Sequence, residues 1–101
     1  MLEALFAGAR ADAEHREKKV SLAAARGLAS EARPVRDLTT LRPKNQILVF
    51  GEIKRRSPSR GIMGEISDPE SLARAYERGG VSAISVLTEE CRFGGSLSDL
   101  R

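Results

Sequence analysis

The sequence predicts an α/β chain in which a helical arm precedes a strand–helix–strand unit. Three observations predict it: apolar residues at helical spacing near the start, an apolar run from Ile47 to Phe50, and a second run, AISVL, from Ala83 to Leu87. A helix between those two runs makes a crossover of the length that joins parallel strands, and such a crossover should be right-handed.

In the arm, Leu2, Leu5, Phe6, Ala9 and Ala13 recur three or four residues apart, while Glu3, Arg10, Glu14 and Lys18 fall on other faces. An amphipathic helix ending near Lys19 is expected. A second helix should start with Ser21 as its N-cap and run through LAAARGLASEA, with Pro34 beyond its end. Pro34 and Pro43 then bracket a polar stretch containing Arg36, Asp37 and Arg42, which reads as a linker. The expected division is a helical extension over residues 1–45 and an α/β part over residues 46–101.

In the α/β part, Ile47 to Phe50 is apolar at every position, as in a strand buried on both faces of a helix-covered parallel sheet. After the SPSRG loop, Asp68 and Pro69 mark a helix start, since Asp supplies an N-cap acceptor and proline tolerates the first helical position. The helix runs through LARAYER, Gly79 or Gly80 can supply the left-handed residue that ends it, and Ala83 to Leu87 is the second strand. Ser96 should open a further helix, SLSDLR. Two parallel strands cannot pair both edges or cover both faces by themselves, so the architecture reads as incomplete.

Composition narrows the function. The 101 residues are 41% hydrophobic but only 4% aromatic, without tryptophan, which sets a thin Leu/Ile/Val/Ala core for one domain. Seventeen basic against fourteen acidic residues leave a net charge of +3, as suited to a small phosphorylated molecule as to a polynucleotide. Cys91 is the single cysteine and His15 the single histidine, so neither an internal disulfide nor a zinc site is expected. Glu3 stands where an export signal carries positive charge, and no eighteen apolar residues run together. A cytoplasmic protein without a membrane partner is expected.

The chemistry concentrates between Gln46 and Gly61, QILVFGEIKRRSPSRG. Side chains two apart in a strand share a face, so Glu52 and Lys54 point the same way, roughly 7 Å apart, and Gly51 and Ile53 point oppositely. The pair sits at a strand C-terminus, where α/β proteins bind ligands, but it also fits an ordinary strand-end ion pair. Ser57, Ser59, backbone N–H groups and the cations of Lys54, Arg55, Arg56 and Arg60 could cradle phosphate; composition alone favours a solvated basic turn, with a kinase target or a nucleic-acid contact as the other readings of KRRSPSR. At the second strand end, Ser85 and Leu87 share a face, and Phe93 either stacks on an aromatic ligand or caps a core. Cys91 reads as a small loop residue and Tyr76 as helix packing.

Taken together, GEIKRRSPSRG, the Asp-Pro helix, ARAYERGGVSAISVLTEE and RFGGSLSDL resemble the first part of the indole-3-glycerol phosphate synthase family. The resemblance covers nearly all of residues 47–101, and the preceding helices are similar to that family's N-terminal extension. It implies the N-terminal part of a (β/α)8 TIM barrel, with residues 46–101 supplying its first two βα units. It further implies a carboxy-lyase of tryptophan biosynthesis that acts on a small phosphorylated substrate without a metal or organic cofactor. By resemblance, Glu52 orients the anthranilate part and handles protons, and Lys54 meets the anionic substrate and supports acid chemistry. Ser57 contacts the phosphate, and Leu87 and Phe93 line the ring pocket.

Phe50-Gly51 replaces a small aliphatic pair in that pattern, and Cys91-Arg92 a lysine–aromatic pair. The family's later acid lysine, base glutamate and phosphate loops have no counterpart here, because a barrel of this kind needs about 250 residues. A partial sequence, inactive by itself, is therefore expected. The alternative is a small basic nucleic-acid-binding or regulatory module, opposed by the near-balance of charge and the lack of aromatic residues beside the basic loop.

Overall fold

The computed structural model describes residues 1–41 and 47–101. The chain divides into two compact units, Met1–Arg36 and Asp37–Arg101. The division expected after residue 45 lies outside the described residues, as do Arg42 and Pro43 of the expected linker and Gln46.

The first unit holds two helices, α1 (Leu2–Glu17) and α2 (Leu22–Glu31). α1 ends two residues before the expected Lys19, and the chain turns there with the Lys19 and Val20 N–H groups both donating to the Arg16 carbonyl. Ser21 caps α2 as its sequence implies, its Oγ accepting from the Ala24 N–H at 3.2 Å, a contact worth about 1 kcal/mol. Neither helix contains a buried residue. The stripe read from the spacing is present as a helix face, but Leu2, Phe6, Leu22 and Leu28 on these helices remain more than half exposed.

The second unit opens with a 3-10 turn, Leu38–Leu41, where the expected linker lies. Asp37 caps it: its carboxylate accepts from the Thr39 N–H and hydroxyl at 2.8 and 2.7 Å. Strand β1 (Phe50–Ile53) follows, then a hairpin of two short strands, β2 (Arg56–Ser57) and β3 (Gly61–Ile62), helix α3 (Pro69–Arg78), strand β4 (Ala83–Val86) and a 3-10 turn, Leu97–Leu100. β1 and β4 pair in parallel, with Gly51 opposite Ile84 and Ile53 opposite Val86. The ladder continues beyond both strands, the Ser82 N–H donating to the Val49 carbonyl and the Leu87 N–H to that of Ile53.

α3 is the crossover, started as the sequence implies by Asp68, which accepts from the Glu70 N–H at 3.1 Å and from the Ser71 hydroxyl. Its half-buried residues, Leu72, Ala73 and Tyr76, recur at helical spacing, while Ser71, Arg74 and Glu77 are exposed. Of the glycine pair after α3, Gly80 takes the positive φ of 90° and Gly79 stays right-handed. Tyr76 lies across Gly51: a Cβ there would stand 2.6 Å from the tyrosine Cδ2. Its hydroxyl donates to the Glu52 carbonyl at 3.3 Å. Gly51 is thus matched to a ring occupying the space of its missing side chain.

The structure corrects two expectations. Ile47 to Val49 precede β1 rather than forming it, and the strand alternates instead of being buried on both faces: Gly51 and Ile53 are buried, whereas Phe50 and Glu52 are exposed. The reason is that α3 covers one face only. The helix expected from Ser96 is a 3-10 turn, capped by the Ser96 hydroxyl, which accepts from the Asp99 N–H at 3.2 Å.

Among the described residues, Ile53 is the one buried hydrophobic, a contribution of about 1.5–3 kcal/mol against an ordering cost of about 1–2 kcal/mol for each residue fixed. Residues 1–101 alone should therefore lack a cooperative thermal transition, and a sharp two-state melt with a dispersed amide spectrum would contradict this. In the full-length protein, Gly51→Val should destabilise by about 1–3 kcal/mol through overpacking. Placing the same change in a Tyr76→Ala background should remove most of that loss in denaturant melts, and an equal loss in both backgrounds would disprove the fit.

Candidate functional site

The site is built at the C-terminal ends of β1 and β4. Because Gly51 and Ile53 face α3, strand alternation turns Glu52 and Lys54 to the other face. Their side chains meet, Lys54 Nζ standing 2.6 Å from Glu52 Oε1, with the lysine 27% and the glutamate 46% exposed. A pair this open contributes at most about 1 kcal/mol to stability. It is a strand-end ion pair in form, and it presents an acid and an ammonium side by side on the face that α3 leaves open.

Ser57 lies on the hairpin. The three residues Pro58, Ser59 and Arg60 connect β2 to β3, and Gly61, paired with Ser57, closes the turn at a left-handed φ of 67°, a conformation open to glycine. Ser57 Oγ accepts from the Arg60 N–H at 3.2 Å, which leaves its own O–H able to donate. The basic residues around it divide. Arg55 forks onto Asp99, with both hydrogen bonds at 2.9 Å, and its third nitrogen donates to the Ile66 carbonyl. Arg56 donates to the carbonyls of Cys91 and Glu90 at 2.6 and 3.3 Å. With Lys54 on Glu52, three of the four cations read as a phosphate cradle or a nucleic-acid contact are therefore held by the protein itself.

Leu87 and Phe93 come from the segment after β4. Leu87 is half-buried and extends the ladder beside Lys54 through its N–H bond to Ile53. Phe93 is fixed by Glu89, whose carboxylate accepts from the Arg92 and Phe93 N–H groups at 2.7 and 2.9 Å and pairs with the Arg92 guanidinium. Gly95 packs directly against the Leu87 carbonyl, where no side chain fits. The Arg56 N–H donates to the Phe93 carbonyl at 3.2 Å, so Phe93 is one residue removed from Ser57 across a backbone hydrogen bond. The structure thus brings all five sequence-read residues, Glu52, Lys54, Ser57, Leu87 and Phe93, to one end of the parallel pair.

Compared with known proteins, residues 2–101 match the family model for indole-3-glycerol phosphate synthase. The chain belongs to the indole-3-glycerol phosphate synthase family. It is 52% identical over 99% of its length to the indole-3-glycerol phosphate synthase of Leifsonia xyli subsp. xyli, of which it covers 39%. Its identity to the Parafrankia sp. synthase is 48%, and to indole-3-glycerol phosphate synthase 1 of Streptomyces coelicolor 46%, covering 37% of each. The chain therefore spans well under half the length of these relatives.

Several residues that organise this end of the synthase-family chain were not evident from its sequence. Arg55 and Asp99 are 44 positions apart, and nothing local pairs them. Glu89 carried a faint signal, since an acid three residues ahead of a turn can cap its free N–H groups. No described helix is long and apolar enough to cross a membrane.

The hydrogen bonds from Arg55, reinforced by its charge and by Ser96, hold the Asp99 carboxyl below its usual value of 3.8. A carboxyl depressed by folding adds stability above the unfolded value and loses it as pH falls through the lower folded value. In the full-length protein, unfolding midpoints followed from pH 6 down to 2 should drop below about pH 4. Asp99→Asn should flatten that acid limb while lowering stability at neutral pH. An unchanged acid limb in the variant would refute the contribution.

Proposed function

We propose that the full-length protein is an indole-3-glycerol phosphate synthase, a carboxy-lyase of tryptophan biosynthesis. It converts 1-(2-carboxyphenylamino)-1-deoxyribulose 5-phosphate into indole-3-glycerol phosphate, carbon dioxide and water. On this reading, residues 46–101 form the first two βα units of a (β/α)8 barrel and residues 1–45 a helical extension. The protein acts in the cytoplasm without a cofactor. The observation that carries the reading is the family match along the whole chain, joined to an acid–ammonium pair at the strand end.

Ring closure followed by loss of carboxylate and hydroxyl needs a proton donor at the ketone, charge to hold the anionic groups, and a dry wall for the ring. Lys54 meets the substrate's anionic charge and supports protonation, and Glu52 orients the anthranilate part and handles the proton relay. Their 2.6 Å contact keeps the ammonium in place before substrate arrives, which lowers the ordering cost of binding. Ser57 donates its O–H to the phosphate, and the apolar side chains of Leu87 and Phe93 line the ring pocket. Residues 1–101 alone are inactive, since the chemistry needs groups from the rest of the barrel.

In the full-length protein, Lys54→Met and Glu52→Gln should each lower kcat/KM by about 10²–10⁴-fold while shifting stability by less than about 1 kcal/mol. Substrate-dependent release of carbon dioxide with formation of indole-3-glycerol phosphate is the readout. Its absence from the folded wild-type protein would overturn the assignment, and full activity of both variants would remove the two residues from the chemistry.

A further inference from the structure

The hairpin carrying Ser57 and the segment carrying Phe93 are separate in sequence, and Arg56 ties them together at several points. Its backbone N–H donates to the Phe93 carbonyl at 3.2 Å. Its guanidinium donates to the carbonyls of Cys91 and Glu90. Its side chain also passes over Gly94, which has a positive φ of 65° and whose Cβ, if present, would stand 3.2 Å from the arginine Nε. From the other side, the Glu89 carboxylate gathers the N–H groups of Arg92 and Phe93. Carbonyls point toward Arg56 and N–H groups toward Glu89, so the turn over 91–93 is held between a cation and an anion of matching polarity.

We propose that Arg56 is a positioning residue that couples the phosphate-contacting hairpin to the ring-lining segment, so that binding at one end of the substrate favours binding at the other. This rests on the synthase reading above, which places Ser57 at the phosphate and Phe93 at the ring. The contacts of Arg56 form only when hairpin and segment are both seated. A phosphate group that fixes Ser57 seats Arg56, and Arg56 then holds the 90–93 backbone where Phe93 meets the ring. The ordering cost of the second contact is removed by the first, which is positive coupling between two ends of one ligand. Arg56 touches neither end itself.

The test uses the full-length protein and steady-state turnover of 1-(2-carboxyphenylamino)-1-deoxyribulose 5-phosphate. Ser57→Ala and Phe93→Leu are measured singly and together, with and without Arg56→Ala. With Arg56 present, the combined loss in kcat/KM should fall short of the product of the single losses by about 5-fold or more, because either change already breaks the coupling. In the Arg56→Ala background the losses should multiply to within about 2-fold. Arg56→Ala should act chiefly on KM, and Arg56→Lys, which keeps the charge and the backbone bond but lacks the planar guanidinium whose Nη2 meets both carbonyls and whose Nε lies over Gly94, should restore part of the coupling. If Arg56→Ala does not fold by circular dichroism, the same cycle in Arg56→Lys decides, with the shortfall expected to shrink at least about 2-fold. Multiplicative losses with Arg56 present, or a shortfall unchanged without it, would overturn the proposal. A folded wild-type protein that does not turn over this substrate would instead overturn the synthase reading, and the proposal with it.

Discussion

The parallel pairing of β1 with β4, in one register, is the constraint on which the rest of the second unit depends. Parallel strands run their C-terminal ends to the same side, so Lys54 and Leu87 emerge next to one another. The strand pleat does the remaining sorting. With Ile53 and Val86 facing α3, Glu52, Lys54 and Leu87 must face away, and a register slipped by one residue would bury the charges against the helix. The crossover therefore selects which side chains face the open side without touching them.

Polar contacts of a different kind organise the segments beyond the strands. The fork between Arg55 and Asp99 joins the end of β1 to the turn at the end of the chain, and Asp99 is only 10% exposed there. Charged hydrogen bonds of this geometry are stronger than the exposed pair between Lys54 and Glu52. The division of labour among neighbours is sharp: Lys54 faces the open side, Arg55 fastens the helix side, and Arg56 ties the hairpin to the segment after β4. Three consecutive cations thus have three separate destinations, set by strand alternation and the turn that follows.

What the sequence made legible was what local rules govern. Ser21, Asp68 and Ser96 each carry the cap their residue type implies, and both parallel strands fall near the expected apolar runs. Glu52 and Lys54 share a face because the period of a strand is two. Where the reading failed, tertiary context decided. Ile47 to Val49 have the composition of a strand, yet the paired strand begins at Phe50, with the Val49 carbonyl joining the ladder just before it. The hairpin within SPSRG was read as a loop, although its terminal glycine could have signalled a closing turn. The side-chain hydrogen bonds of Arg55 and Arg56 depend on residues 44 and 35 positions away, and a run of basic residues looks the same whether its charges face water, phosphate or the protein's own carbonyls.

The fit of Tyr76 over Gly51 has a consequence for how this strand can change over evolutionary time. Two positions 25 residues apart share one volume, so their substitutions are ordered. A lineage that gains a side chain at 51 while keeping the ring must pass through a clashing intermediate. One that first shrinks residue 76 passes only through a cavity, which surrounding side chains can partly fill. Change at this point of the fold therefore opens from the helix, and the strand beneath the acid–ammonium pair follows.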